Sequence, residues 1–177
     1  MNAPHISIVA AIGAKDRALG KDNKIPWRIR EDLIHLKTLT KDQVVILGRK
    51  SYDSMAWYYG KSGNPMPGKL YIIITRNKNY EPTIGNTLVV GSIEEGLQNV
   101  KKNNISNAYV IGGAEIFKMA LPYVDTLYLT LVKGAYEADT FFPEYNDFVM
   151  IEQSDWKEEN GFQYSFTTLI KKTNATA

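Results

Sequence analysis

The chain has no cysteine among its 177 residues. That excludes disulfides, thiolate nucleophiles and cysteine-ligated zinc or iron–sulfur centres. Histidine is nearly absent too. Only His5 and His35 occur, and they lack the spacing of a metal pair, so no metal is expected. A serine nucleophile would need a histidine base, and neither histidine accompanies a Gly-x-Ser-x-Gly elbow. No charge of one sign dominates: 21 Lys+Arg against 19 Asp+Glu leave a net charge of +2, too little for a nucleic-acid or membrane footprint. No apolar run approaches membrane-spanning length, and Met1-Asn2-Ala3-Pro4-His5 lacks a basic stretch leading into an apolar segment. A reducing cytoplasm is the expected location. Repeats, low-complexity tracts and linkers are also missing. One domain over residues 1–177 with a real core is expected, residues 173–177 forming a frayed tail.

What is present is a series of short, β-branched apolar runs, many followed by a glycine or a helix-start signal. Ile6–Ala11, Val44–Leu47, Leu70–Thr75, Thr87–Val90, Ala108–Ile111 and Thr126–Val132 read as strands. Helices are predicted from Ile29 to about Thr40, from just after Gly48-Arg49-Lys50-Ser51 to about Trp57, from a Ser92–Glu95 capping box to about Asn103, and from Ala114 to Leu121 before Pro122. Gly60 to Gly68 reads as a loop. Phe148–Gln153 and Tyr164–Ile170 are predicted to pair antiparallel across a Glu159-Asn160-Gly161 turn. Strand–helix alternation with continuous apolar runs gives an α/β fold. It should be a single domain whose central, mostly parallel twisted sheet has an antiparallel C-terminal edge and helices on both faces.

Asp32 is the residue most out of place. On a helix starting at Ile29, the spacing i, i+3, i+4, i+7 gathers Ile29, Asp32, Leu33 and Leu36 on one apolar face, while Glu31 joins Arg30 and Lys37 on the polar one. A carboxylate there is costly unless it is paired or its pKa rises. Two readings stay open: a structural acid satisfied by a nearby hydroxyl or water, or a functional acid. Three further segments would lie at the carboxyl ends of strands, where open α/β sheets bind ligands. Gly48-Arg49-Lys50-Ser51 offers two cations, a hydroxyl and helix N-terminal amides to phosphate oxygens, or is an ordinary basic loop. Gly112-Gly113 would let a pyrophosphate approach the backbone, or is a packing device. Thr75-Arg76 offers an arginine to an extra ribose phosphate, or is a solvated surface pair. Asp139, in Glu137-Ala138-Asp139-Thr140-Phe141-Phe142-Pro143, reads as a loop brace.

In their order these pieces resemble the dihydrofolate reductase family over nearly the whole chain, to about Ile170. The carrying segments are Ile6–Ala11, Leu19-Gly20, Ile25-Pro26-Trp27, Asp32-Leu33, Leu47-Gly48-Arg49-Lys50-Ser51, Pro67-Gly68, Val110–Phe117 and Asp139–Pro143. The resemblance implies NADPH-dependent reduction of dihydrofolate to tetrahydrofolate, with Asp32 and Trp27 as the catalytic residues. Asp32 would anchor the pterin through its amino group and ring nitrogen, a water delivering the proton. Ile25, Leu33, Leu36, Met55, Lys69, Ile111, Phe117 and Thr130 would complete the substrate site. Ala11, Leu19, Gly20, Gly48, Arg49, Lys50, Ser51, Thr75, Arg76, Gly112, Gly113, Ala114, Glu115, Ile116 and Thr140 would hold NADPH. Gly13–Lys24 resembles the family's mobile active-site loop, with Asp139 its hydrogen-bond partner.

The resemblance also implies a monomer open to antifolate inhibitors. Two departures stand out. The family's arginine after Pro-Gly is replaced by Lys69, and the segment between Met55 and Pro67 is long. Its aromatics Trp57, Tyr58 and Tyr59 are expected to cover the core, or else to close over the folate linker. The rival readings are a related reductase of a riboflavin precursor and a non-catalytic nucleotide-binding protein on the same scaffold.

Overall fold

The computed structural model describes residues 3–173, so most of the tail expected to fray lies outside the described residues. β1 spans His5–Gly13 and β2 Ala18–Gly20. α1 follows at Arg30–Thr40, then β3 at Val44–Gly48 and α2 at Arg49–Ser62. β4 (Leu70–Ile74) and β5 (Thr87–Val90) precede α3 (Ile93–Lys102), β6 (Asn107–Gly112) and α4 (Ala114–Ala120). After a 3-10 turn at Leu121–Tyr123 come β7 (Thr126–Val132), β8 (Thr140–Phe141), β9 (Phe148–Gln153), β10 (Lys157–Glu159) and β11 (Phe162–Lys171).

Eight strands of the main sheet run in the order β10-β11-β7-β1-β6-β3-β4-β5, and β9 also pairs with β11. From β7 to β5 every neighbouring pair is parallel, and β11 is antiparallel to β7, β9 and β10. The expected architecture is therefore present. β3 shows why its apolar runs are continuous. Val44 and Ile46 join the cluster that holds Ile8, Ile72, Val110 and Leu127, while Val45 and Leu47 join Tyr52 and Ala56 of α2. A strand covered on both faces needs apolar side chains at every position. Each such Ile or Leu contributes about 1.5–3 kcal/mol on burial. A third cluster, Trp27, Ile29, Val132 and Tyr164, ties the approach to α1 onto β7 and β11.

Several boundaries differ from the sequence reading. α2 runs on past Trp57 to Ser62 and ends at Gly63, whose φ of 71° makes it the left-handed cap. Gly60 is thus helical, and the loop starts three residues later than expected. Trp57 and Tyr58 do not cover the core: they are 67% and 58% exposed. The Ser92 hydroxyl accepts the Glu95 N–H as a capping box requires, but the Glu95 carboxylate reaches back to the amide of Gly91 instead of Ser92. The C-terminal turn is narrower than expected. Glu159 pairs with Phe162 across Asn160 and Gly161, both at positive φ, and the strand immediately across it is β10. β9 reaches β11 farther along, around a register shift at Thr168/Leu169. The short β2–β8 ribbon was not anticipated.

Candidate active site

Parallel strands deliver their carboxyl ends to one side of the sheet, and Gly13, Gly48, Ile74 and Gly112 end β1, β3, β4 and β6 there. In register, Leu47 lies beside Gly112, Gly48 beside Ile74, and Ala11 beside Thr130 of β7. Close approach to a side chain accounts for Gly48 among these glycines. A Cβ on Gly48 would come within 3.1 Å of the Ile116 side chain and 3.8 Å of the Gly112 carbonyl. Cβ atoms on Gly112 and Gly113 would lie 3.5 and 3.7 Å from the Ser51 hydroxyl. Gly112 also has φ of 133°, a region closed to most L-residues, and the bond to Gly113 is cis. Gly48, Ser51, Gly112, Gly113 and Ile116 are thus one cluster. Neither α2 nor α4 has a side chain capping its first turn, and Arg49 and Lys50 open α2. Arg49 lies 6.0 Å from the Tyr80 ring centroid. Thr75 and Arg76 follow directly on β4, the arginine exposed.

Asp32 approaches from the other side of β1. Its helix packs so that the buried Thr130 hydroxyl donates to Asp32 Oδ1 at 2.6 Å. This is the nearby hydroxyl that a structural acid would require, supplied by a residue also expected at the substrate site. Burial pushes the Asp32 carboxyl above the ordinary carboxylate value, while the Thr130 hydrogen bond and the neighbouring His35 pull it down. The face around Asp32 is more open than its periodicity suggested. α1 begins at Arg30 with Ile29 as its cap residue, Leu36 is half-buried, and Leu33 and Ile25 are 56% and 65% exposed. Met55 of α2 and Ile111 of β6 are half-buried, whereas Phe117 packs in the core on Phe142, behind Gly112. Trp27 is 6% exposed, stands edge-on to Tyr136, and its Nε1 has no hydrogen-bond partner among the described residues.

The loop between β1 and α1 is fixed by the segment around Asp139. The Gly20 carbonyl accepts from the Asp139 amide at 3.0 Å and from the Thr140 hydroxyl at 3.1 Å, and Asp139 Oδ2 accepts the Asp22 N–H at 2.9 Å. This brings Leu19, Gly20 and Thr140 together. Lys69 stands apart at the entrance to β4. Its amide donates to Gln43 just beyond α1, and its side chain is exposed and in no ion pair among the described residues.

Four residues escaped the sequence reading. His35 follows Asp32 by three positions, a spacing that puts both on one helix side, although no triad or metal-pair pattern singles it out. Its ring lies 4.5 Å from that of Phe166, which pairs with Thr130, and burial holds its imidazole below the ordinary value while Asp32 raises it. Phe166 and Glu159 belong to the C-terminal hairpin, and no local pattern links them to α1. Glu31 was expected to face Arg30 and Lys37. Instead its Oε2 accepts from Lys157 Nζ at 3.0 Å and from the Tyr164 hydroxyl at 2.8 Å.

A family model described as "Dihydrofolate reductase" matches residues 5–171. The chain belongs to the dihydrofolate reductase family. Curated relatives agree. The dihydrofolate reductase of Staphylococcus haemolyticus is 36% identical over 165 residues, covering 91% of this chain and 92% of that protein. That of Bacillus subtilis (strain 168) is 32% identical, covering 97% and 98%. The dihydrofolate reductase type 3 of Salmonella typhimurium is 31% identical, covering 94% and 98%.

Proposed function

We propose that this protein reduces dihydrofolate to tetrahydrofolate with NADPH. The observation that carries the reading is Asp32: a sheltered carboxylate with a raised pKa, bound to Thr130 and set beside glycine-ended strands. NADPH, when bound, supplies the hydride for the pterin C6. The residues at hand suit it. Gly112 and Gly113 leave room for close approach to the backbone, Ser51 lies against them, and the uncapped start of α2 with Arg49 and Lys50 favours phosphate oxygens. Arg76 would take the phosphate that distinguishes NADPH from NADH.

Ionised Asp32 accepts hydrogen bonds from the pterin's amino group and protonated ring nitrogen, holding C6 toward the cofactor side and polarising the ring. Its sheltered position strengthens that field. N5 must gain a proton as C6 gains the hydride. We assign that proton to water, with Asp32 anchoring the far side of the ring. Trp27 Nε1, a buried donor, is suited to bind such a water or the substrate itself. Leu33, Leu36, Met55 and Ile111 would form apolar walls, Phe117 would back them, and Ile25 would border the opening. Lys69 would meet the carboxylate of the folate tail.

Every residue of this site comes from one copy, so a monomer suffices. Antifolates bearing an amino group beside a protonated ring nitrogen should compete for Asp32. A reducing cytoplasm suits a cysteine-free, NADPH-using enzyme, and we place the protein there. The test is loss of nicotinamide absorbance on mixing the pure protein with NADPH and dihydrofolate. NADPH binding without that loss would instead mark a nucleotide-binding protein on the same scaffold.

A further inference from the structure

The helix that carries Asp32 begins badly. Its cap residue is Ile29, which offers no side-chain acceptor, so the first amides of α1 have no local partner. The partner comes from far along the chain. Glu159 Oε1 accepts the Arg30 N–H at 2.9 Å and Oε2 accepts the Glu31 N–H at 3.2 Å, so a single carboxylate closes the first two amides of the helix. The rest of the same hairpin completes the grip. Asn160 Nδ2 donates to the Arg28 carbonyl at 2.9 Å, and Lys157 and Tyr164 both donate to the Glu31 carboxylate. Ile29, between these contacts, is buried with Val132 and Tyr164.

The next residue along the helix is Asp32. Its side chain is held by Thr130 of β7, and Thr130 is paired in register with Phe166 of β11. Two residues away in the same ladder, Val132 pairs with Tyr164, and β11 leads back through Gly161 and Asn160 to Glu159. The backbone of the Asp32 turn and the strand bearing the hydroxyl that binds its carboxylate are therefore both tied to one hairpin, β10–β11. A negative charge at a helix N-terminus is also favoured by the helix dipole.

We propose that Glu159 is a positioning residue for Asp32, acting as the distant cap that sets the first turn of α1 and hence the place of the pterin anchor. This inference rests on the proposed reductase activity. A cap that served stability alone would lower the melting temperature and leave turnover of the folded enzyme unchanged. A positioning cap acts on substrate and spares the cofactor, because the glycine cluster of β3 and β6 is held independently of the hairpin.

The experiment compares wild type, Glu159→Ala and Glu159→Gln by single-turnover hydride transfer, KM for dihydrofolate and NADPH affinity, measured well below each melting temperature. If wild type binds NADPH but does not oxidise it with dihydrofolate, the reductase reading fails, and this inference with it. With wild type active, the expected result is about tenfold slower hydride transfer and a raised KM for dihydrofolate in Glu159→Ala, with NADPH affinity unchanged. Glu159→Gln, which keeps one acceptor oxygen, should recover part of the loss. Kinetics in Glu159→Ala equal to wild type would overturn the proposal. So would a Glu159→Gln variant no better than Glu159→Ala, or a parallel loss of NADPH binding that reported general unfolding.

Discussion

Glu31 and Asp32 are neighbours on α1, and their surroundings drive the two carboxyls in opposite directions. Lys157 and Tyr164 stabilise ionised Glu31 and hold it below the ordinary value. Tyr164, among Glu31, Glu159 and Asp32, is itself pushed up to about 12, first by burial and then by those acids. Asp32 is raised by burial, so the native state holds its proton more tightly than the unfolded chain does. Ionised Asp32 therefore subtracts stability, beginning as pH rises past the ordinary value of 3.8 and reaching its full extent above the raised native value. Asp32→Asn keeps an acceptor for Thr130 and removes the charge. It should melt higher than wild type at pH 7, the gain shrinking toward zero below pH 3.8, and equal melting temperatures at pH 7 would contradict the burial argument. The same variant should bind NADPH normally and transfer hydride much more slowly at neutral pH. Near-normal turnover would remove Asp32 from the mechanism.

At the scale of elements, the strand ends do the positioning. Gly112 closes β6 at φ of 133°, so Gly112→Ala forces an L-residue into a region that costs about 1–3 kcal/mol. The added methyl would make only ordinary contact with Ser51 and Phe117, so the backbone conformation carries the cost. Weaker NADPH binding and a lower denaturation midpoint are expected, and an unchanged NADPH titration would detach Gly112 from the cofactor site. Lys69, at the start of β4, presents a point charge where a guanidinium would fork onto a carboxylate. Lys69→Arg should lower the KM for dihydrofolate, and an unchanged KM would mean the tail does not depend on this position. The strands were legible because burial on both faces forces unbroken apolar runs, as in Val44–Leu47. The glycines and Asp32 were legible because each breaks a local rule. What local pattern could not reveal was partnership at long range: the Thr130 hydroxyl on Asp32, Asp139 on the Gly20–Asp22 loop, and Glu159 on a helix that lacks its own cap. The extra length of α2 was obscured because Gly60 reads as a breaker, although its place tolerates helix.

Taken whole, the molecule is built on a main sheet whose middle strands come from both halves of the chain. Leu127 of β7 is fully buried in the main cluster with Ile8 and Val110, on the same strand as Thr130. Leu127→Ala should cost about 2–5 kcal/mol in a denaturant titration, a smaller loss meaning that the site collapses around the cavity. β11, the last strand, is not an edge: it lies between β7 on one side and β9 and β10 on the other. That arrangement bears on the order in which the protein is made. A chain growing on the ribosome has Asp32 early, yet the carboxylate gains its hydroxyl only when β7 emerges, and its helix gains a cap only when β10 does. On a growing chain, then, the two supports of Asp32 cannot both form until β7 and β10 have been made, well over a hundred residues after the acid they hold.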